Sequence, residues 1–311
     1  MKLATSTGDF VWYTDSIEEA IKSFKDSKFK YINLEQEAYV EELYDESDRG
    51  WKTLAEKWGS AAEYAGVQFV ASHAPCLRLF EKPGEELYRR NLLAIRNSIK
   101  VCSELGIDRI VVHTSQRRDF TRRELYEKNK KFYSELFDLM EKYDIRVLTE
   151  NWAVDEYHLV TGADVCEFVE YIDHPLFGIC WDTAHGNISK RAREAGQYEN
   201  IMACGDKLWG LHIADNFGDC HHHSWPFAGS INFDSVMQGL IDVGYEEGFT
   251  FEASYTLLHQ NNLPYKREGW EYEGKQVSRL LNPTLELKKQ AVELLYETGK
   301  YILSEYGRFE G

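Results

Sequence analysis

The chain has 311 residues, 43% hydrophobic and 14% aromatic, enough apolar material for one sizeable core. Its formal net charge of −16 excludes the usual profile of a nucleic-acid binder, since polyanions are held mainly by clustered Lys and Arg. No stretch approaches the roughly 18 apolar residues of a membrane span, and the opening MKLATSTGDFVWY lacks an apolar run of signal-peptide length.

Short β-branched and apolar runs recur along the chain. In order they are Leu3–Ser6, Tyr31–Glu35, Gln68–His73, Arg109–His113, Arg146–Glu150, Gly178–Asp182, Trp209–Ile213 and Phe249–Glu252. Between them lie stretches of helical period. Leu92, Ile95, Ile99 and Cys102 share a stripe within Glu86–Leu105, and Leu125, Phe132, Leu136 and Leu139 share one within Arg122–Tyr143. Asn282 and Pro283 read as an N-cap followed by proline at the first helical position, opening a helix towards Tyr306. Strict alternation of strand and helix implies parallel βα units. Eight of them predict an α/β fold of (β/α)8 TIM-barrel type, one domain over residues 1–311. No GxGxxG follows the first strand, as an open dinucleotide-binding sheet would require. Residues at about 255–281 break the repeat with an irregular loop carrying Tyr265, Lys266, Arg267, Trp270 and Tyr272; it reads equally as a surface loop, a lid or a subunit contact.

Six cysteines are scattered without CxxC pairing, so free buried thiols and a reduced, cytoplasmic setting are expected. A homo-oligomer is compatible with this composition.

The functional signal lies in the last residues of the strands. The third ends in His73, the fourth in His113, the fifth in Glu150 and the sixth in Asp182, while the seventh presents His212 and the eighth Glu252. The C-terminal ends of barrel strands form the active-site mouth. A lone strand-end histidine is usually a hydrogen-bonded structural residue, and a lone acid often caps the next helix. Six successive units with such a residue point instead to a shared cation, because an unpaired buried carboxylate is costly. Glu150, Asp182, His212 and Glu252 are the expected ligands. Three carboxylates, one imidazole and no thiolate suit a single divalent ion, Mn²⁺ first, with Mg²⁺, Co²⁺ or Zn²⁺ tolerated. His185 follows the sixth strand, and a run of three histidines, 221 to 223, follows the seventh. Trp12, Trp152 and Trp225 lie at strand ends or in the following loops, where aromatic faces suit a sugar.

The ordered set Leu148-Thr149-Glu150-Asn151, Trp181-Asp182-Thr183-Ala184-His185, Leu211-His212-Ile213-Ala214-Asp215 and Phe251-Glu252 resembles the xylose isomerase-like barrel superfamily, which includes ketose 3-epimerases, inosose dehydratases and isomerases, and endonuclease IV. The resemblance covers nearly the whole chain. It implies a metal-dependent isomerase or epimerase of a small sugar, keto-sugar or polyol. Glu150 and Glu252 would be both ligands and proton-transfer groups working through an enediolate, and His185, His73, His113, Trp12 and His222 would contact the substrate. The chain departs from ketose epimerases in two places. Asp215 is followed by Asn216, Phe217 and Gly218 without the expected arginine, and Pro226-Phe227-Ala228-Gly229 only loosely echoes their PGxG segment. This leaves room for a dehydratase or a lyase of keto-glycosides resembling a C-glycoside deglycosidase. In endonuclease IV, His73 and His113 would match extra zinc ligands, and its DxH element falls either on Asp219-Cys220-His221 or, counting back from Pro226, on His221-His222-His223, which lacks the aspartate. A non-catalytic barrel subunit is the remaining alternative.

Overall fold

A computed structural model of the chain describes residues 1–77, 79, 85–257 and 269–310. The eight expected runs form eight strands: β1 (Leu3–Ser6), β2 (Tyr31–Glu35), β3 (Gln68–His73), β4 (Arg109–Val111), β5 (Arg146–Glu150), β6 (Phe177–Asp182), β7 (Leu208–His212) and β8 (Phe249–Thr250). Neighbours in sequence pair in parallel, and β1 also pairs with β8. The seam between β7 and β8 is closed by a single bridge, Ile213 to Phe251. There the Ile213 amide donates to Thr250 O (2.8 Å) and the Glu252 amide to Ile213 O (3.1 Å). The result is a TIM barrel, with helices covering the outside of the ring.

Side chains alternate along a strand with period two, and this alternation sorts the barrel into two cores. Ile110, Val147, Ile179 and Phe249 join the large core between strands and helices. Their neighbours Val111, Leu148 and Cys180 form a separate small cluster against Trp209, filling the ring itself. Gly210 is required in that layer, since a Cβ there would sit 2.7 Å from Leu148 Cδ1. Two residues beyond Val111, Leu148, Cys180, Gly210 and Thr250 come His113, Glu150, Asp182, His212 and Glu252. The same period that packs the floor therefore aims the ionisable residues at the mouth.

Several boundaries differ from the sequence reading. The single helix expected over Arg122–Tyr143 is two, Arg122–Ser134 and Phe137–Tyr143. At the break, Arg96 of the neighbouring helix takes the Glu135 carbonyl and pairs with Asp138 at 2.7 Å. The last helix starts after Thr284, whose hydroxyl accepts from the Leu287 amide, so Pro283 precedes the cap and Asn282 is not the cap. That helix runs Leu285–Glu305. Within the irregular segment, Trp270–Tyr272 and Lys275–Val277 form an exposed antiparallel hairpin. Tyr265, Lys266 and Arg267 lie outside the described residues.

Candidate metal centre and its cavity

Glu150, Asp182, His212 and Glu252 converge, with one ligand atom from each lying within 4.8 Å of all the others. His212 Nδ1 is 3.0 Å from Glu150 Oε2 and 2.8 Å from Glu252 Oε2. These contacts lack hydrogen-bond geometry. Glu150 Oε2, Asp182 Oδ2 and His212 Nδ1 are buried without a hydrogen-bond partner. Buried polar atoms are almost always partnered, and three orphans facing one point fit a divalent cation between them. The strand ends are fixed around that point. The Asp182 amide donates to Asn151 Oδ1 (2.7 Å) while Asn151 Nδ2 donates to Asp182 O (3.0 Å). Thr183 Oγ1 donates to Ala214 O (2.8 Å), tying β6 to β7.

The electrostatics of the protein alone ask for positive charge here. Burial opposes the imidazolium of His212, yet Cys180, Glu150 and Glu252 around it hold its pKa well above the ordinary value. His185 shows the same balance, burial against Asp182 and Glu150, and is raised to about 10. Burial raises the Glu150 carboxyl, but His212, His113 and His185 outweigh it and bring its pKa well below normal. Asp182 is raised, by burial first and then by Glu150 and Glu252. The acids thus draw protons onto histidines at the spot where a metal ion would supply the charge.

Around the centre lies a cavity of about 580 Å³, lined among others by His73, His113, Glu150, His185, His221 and Glu252. His73 donates Nδ1 to Ala74 O (2.6 Å) and faces Glu150 with Nε2 at 3.8 Å; His113 Nε2 is 3.6 Å from the same oxygen. His185 Nδ1 donates to Asn151 O (2.8 Å) and lies 3.0 Å from Glu150 Oε1. Trp152 and Tyr157 supply an aromatic wall, with the Trp152 indole held by Thr114 Oγ1 at 2.9 Å. Trp225 packs against the main core.

Two expected substrate contacts fall elsewhere. Trp12 is 45% exposed and lines a neighbouring groove with Tyr39 and Leu285. His222 turns to Cys220 (3.1 Å) and Asp219 (3.5 Å). The backbone of the run folds sharply, with His223 at φ 40°, so adjacent rings diverge. His223 donates Nδ1 to Glu252 O (2.8 Å), and His221 is the ring that lines the cavity. Asp219 therefore faces His222, while His221 lines the cavity. Asp215 is bound up in backbone. Its carboxylate accepts from the amides of Asn216, Phe227, Gly229 and Ile231, pinning the loop after Pro226.

Glu35, at the end of β2, was not among the expected site residues. It sits beside His73 in the strand register and lines the cavity. Its carboxyl accepts from Ser6 Oγ and packs on Gly8, where a Cβ would come within 2.6 Å of Oε2. Burial, with Glu252 and Glu37 nearby, raises it to about 8. Its signal was in the sequence: Glu35 ends β2 as Glu150 ends β5, two residues past an inward position.

The xylose isomerase-like TIM barrel family model matches residues 18–273. The chain belongs to that family. Among curated relatives, a probable endonuclease 4 of Methanoculleus marisnigri is 28% identical over 152 residues, 46% of this chain and 54% of that protein, so the match spans about half of the relative's length. Among solved structures, a D-tagatose 3-epimerase-like protein superposes with a TM-score of 0.66 at 20% identity, covering 98% of this chain and 100% of the other. The IolI protein with a bound zinc atom gives 0.66 at 17% identity, covering 98% and 99%. At these identities the two structures establish the shared fold, and none of the six cysteines of this barrel is in a disulfide. Among the described residues no helix is long and apolar enough to cross a membrane.

Proposed function

We propose that this protein is a divalent-metal-dependent isomerase or epimerase of a small sugar, keto-sugar or polyol, moving a proton through an enediolate. The observation that carries the reading is the convergence of Glu150, Asp182, His212 and Glu252 on one point, with buried atoms of the first three unpartnered. The ion, Mn²⁺ by the hardness of its ligands, supplies a Lewis acid that acidifies the hydrogen next to a carbonyl. The protein's own residues then move the proton. Glu252, 21% exposed at its side chain, faces the cavity more openly than Glu150 at 1% and is the base that reaches substrate. Glu150, enclosed by four histidines, delivers a different, solvent-derived proton from the other side of the ring, while the abstracted proton stays on Glu252 until both carboxyls exchange with water. His73, His113, His185 and His221 offer ring nitrogens to substrate oxygens, and Glu35 offers a carboxyl that does not join the ligand set. The named neighbours, a tagatose 3-epimerase-like protein and a zinc-bound IolI, are in keeping with this chemistry. The test is solvent exchange. Mn²⁺-loaded protein in D₂O should place deuterium beside the carbonyl of a ketohexose, ketopentose or inosose; no incorporation across that panel overturns the reading.

A second reading has its own observation. His73, His113 and Glu150 form one further donor group, and Asp182, His185 and His221 another, which would give a centre of several metals and a nuclease like the endonuclease 4 relative. The −16 charge weighs against a polyanionic substrate. One bound metal per chain supports the isomerase; two or three, with cleavage of abasic DNA, supports the nuclease.

A further inference from the structure

Glu252 lies two residues beyond β8, the shortest strand of the ring, where the backbone leaves the sheet. After the Ile213–Phe251 bridge, the Glu252 amide still donates to Ile213 O and the Tyr255 amide to His223 O, and side chains hold several of the carbonyls that follow. His223 takes Glu252 O, and the Tyr13 hydroxyl takes Leu257 O. Between these, Lys288 of the C-terminal helix donates to Ser254 O at 3.0 Å and Thr256 O at 2.9 Å. Its ammonium also pairs with Asp9 Oδ1 at 3.2 Å, both side chains being almost fully buried. Asp9 in turn accepts from Thr5 Oγ1 of β1 at 2.6 Å. Lys288 thus bolts the chain after Glu252 to β1 and to the outer helix in one step.

A buried ion pair is a poor source of stability, since an apolar residue of similar volume is often as good or better. Its value lies in geometry: three directed bonds converge on one fixed ammonium. We propose that Lys288, with Asp9, is a positioning residue for the metal centre, fixing the backbone beyond Glu252 so that its carboxylate stays against His212. The effect on metal rests on the metal-centre reading above; the strap itself does not.

The experiment compares Lys288→Met with Val292→Ala, which thins the packing of the same helix one turn on, at a buried position whose apolar side chain makes none of the strap's hydrogen bonds. In the full chain, Lys288→Met should weaken Mn²⁺ and Co²⁺ binding by about tenfold or more, the scale of lost outer-sphere support. Amide hydrogen exchange at residues 253–257 should quicken by about tenfold, as expected for a locally released segment. Val292→Ala should lower the melting temperature while leaving both readouts near wild type. Wild-type metal affinity in Lys288→Met, or an equal loss in Val292→Ala, overturns the proposal. Should Lys288→Met not fold, Asp9→Asn removes the counter-charge at nearly constant shape and carries the same comparison. If the wild type takes up neither metal, the metal-centre reading falls, and the exchange comparison alone decides the strap.

Discussion

At the N-terminal end of the barrel, Arg109 lies 2.9 Å from Asp108 and 2.7 Å from Glu247, and Arg146 reaches the same two acids. At the C-terminal end, Glu150, Asp182 and Glu252 crowd around His212 with key atoms unpartnered. Both ends gather charge. At the bottom each acid has a guanidinium in hydrogen-bond geometry, and the two cavities differ accordingly: the lower one is walled by completed ion pairs, the upper one by ligand atoms that converge within 4.8 Å of one another. Completed pairs describe a structural joint. Orphaned donors describe a site for something the chain does not itself contain.

The largest expected effect separates the two ends by metal. Glu150→Gln should weaken Mn²⁺ binding by at least about 100-fold, the upper end of what even outer partners cost. A bound ion stabilises the fold by mass action, about 2.7 kcal/mol at a hundred times its Kd. Adding a chelator should therefore lower the wild-type melting temperature and leave that of Glu150→Gln unchanged. Equal chelator sensitivity in both proteins would break the comparison.

Glu35→Gln sharpens it within the upper end. Glu35 lines the cavity without being a ligand, so metal content should stay at the wild-type level. KM should rise about tenfold, the scale of one lost hydrogen bond to substrate. Loss of metal would make Glu35 part of the centre instead. Product analysis with keto-glycosides on the same pair of proteins tells elimination from epimerisation.

At the lower end, Arg109→Met should cost about 2 kcal/mol, less than the 3–5 of a fully buried pair, because Asp108 and Glu247 can reach water. Urea unfolding measures this, and metal affinity should not change. The joint also has a pH signature of its own. Burial raises the carboxyls of Asp108 and Glu247, but the hydrogen bonds and charges of Arg109 and Arg146 outweigh it and lower both. A carboxyl whose folded pKa is depressed adds stability above its unfolded value. That stability is lost as pH falls through the folded value. Wild-type stability should therefore decline below about pH 4.5, from the ordinary carboxylate values downwards, and Arg109→Met should decline less steeply over the same range. Parallel slopes would show that the lower pairs are not coupled to folding.

How much of this was legible in the sequence follows from the kind of signal involved. Strand-end residues are set by a period of two, which any backbone in a β-strand must obey, so Glu150, Asp182 and His212 could be placed from their spacing alone. Glu35 obeys the same period, but the polar Gln36-Glu37 stretch that follows makes its sequence context that of a solvated strand end. Lys288 sits in a Leu-Lys-Lys-Gln run that resembles a solvated helix face. Only the fold brings Asp9, 279 positions away, to its ammonium. The break at Leu136 likewise depends on Arg96 from another helix.

The histidine run shows the limit most directly, and supplies the smallest expected effect. Periodicity cannot say which of three adjacent rings faces inward once the backbone leaves the strand, and His223 at φ 40° turns the chain between them. His221 stands over the cavity beside His185, ring centroids 4.5 Å apart, while His222 stays with Cys220 and Asp219. His222→Ala should change stability by no more than about 0.5 kcal/mol, as for a surface substitution, and leave metal affinity and turnover alone. His221→Ala should raise KM for whatever substrate the exchange assay identifies, because it removes a ring nitrogen from the cavity wall. If instead His222→Ala carries the larger loss, the loop closes differently over a bound substrate, and the outward ring must swing in to meet it.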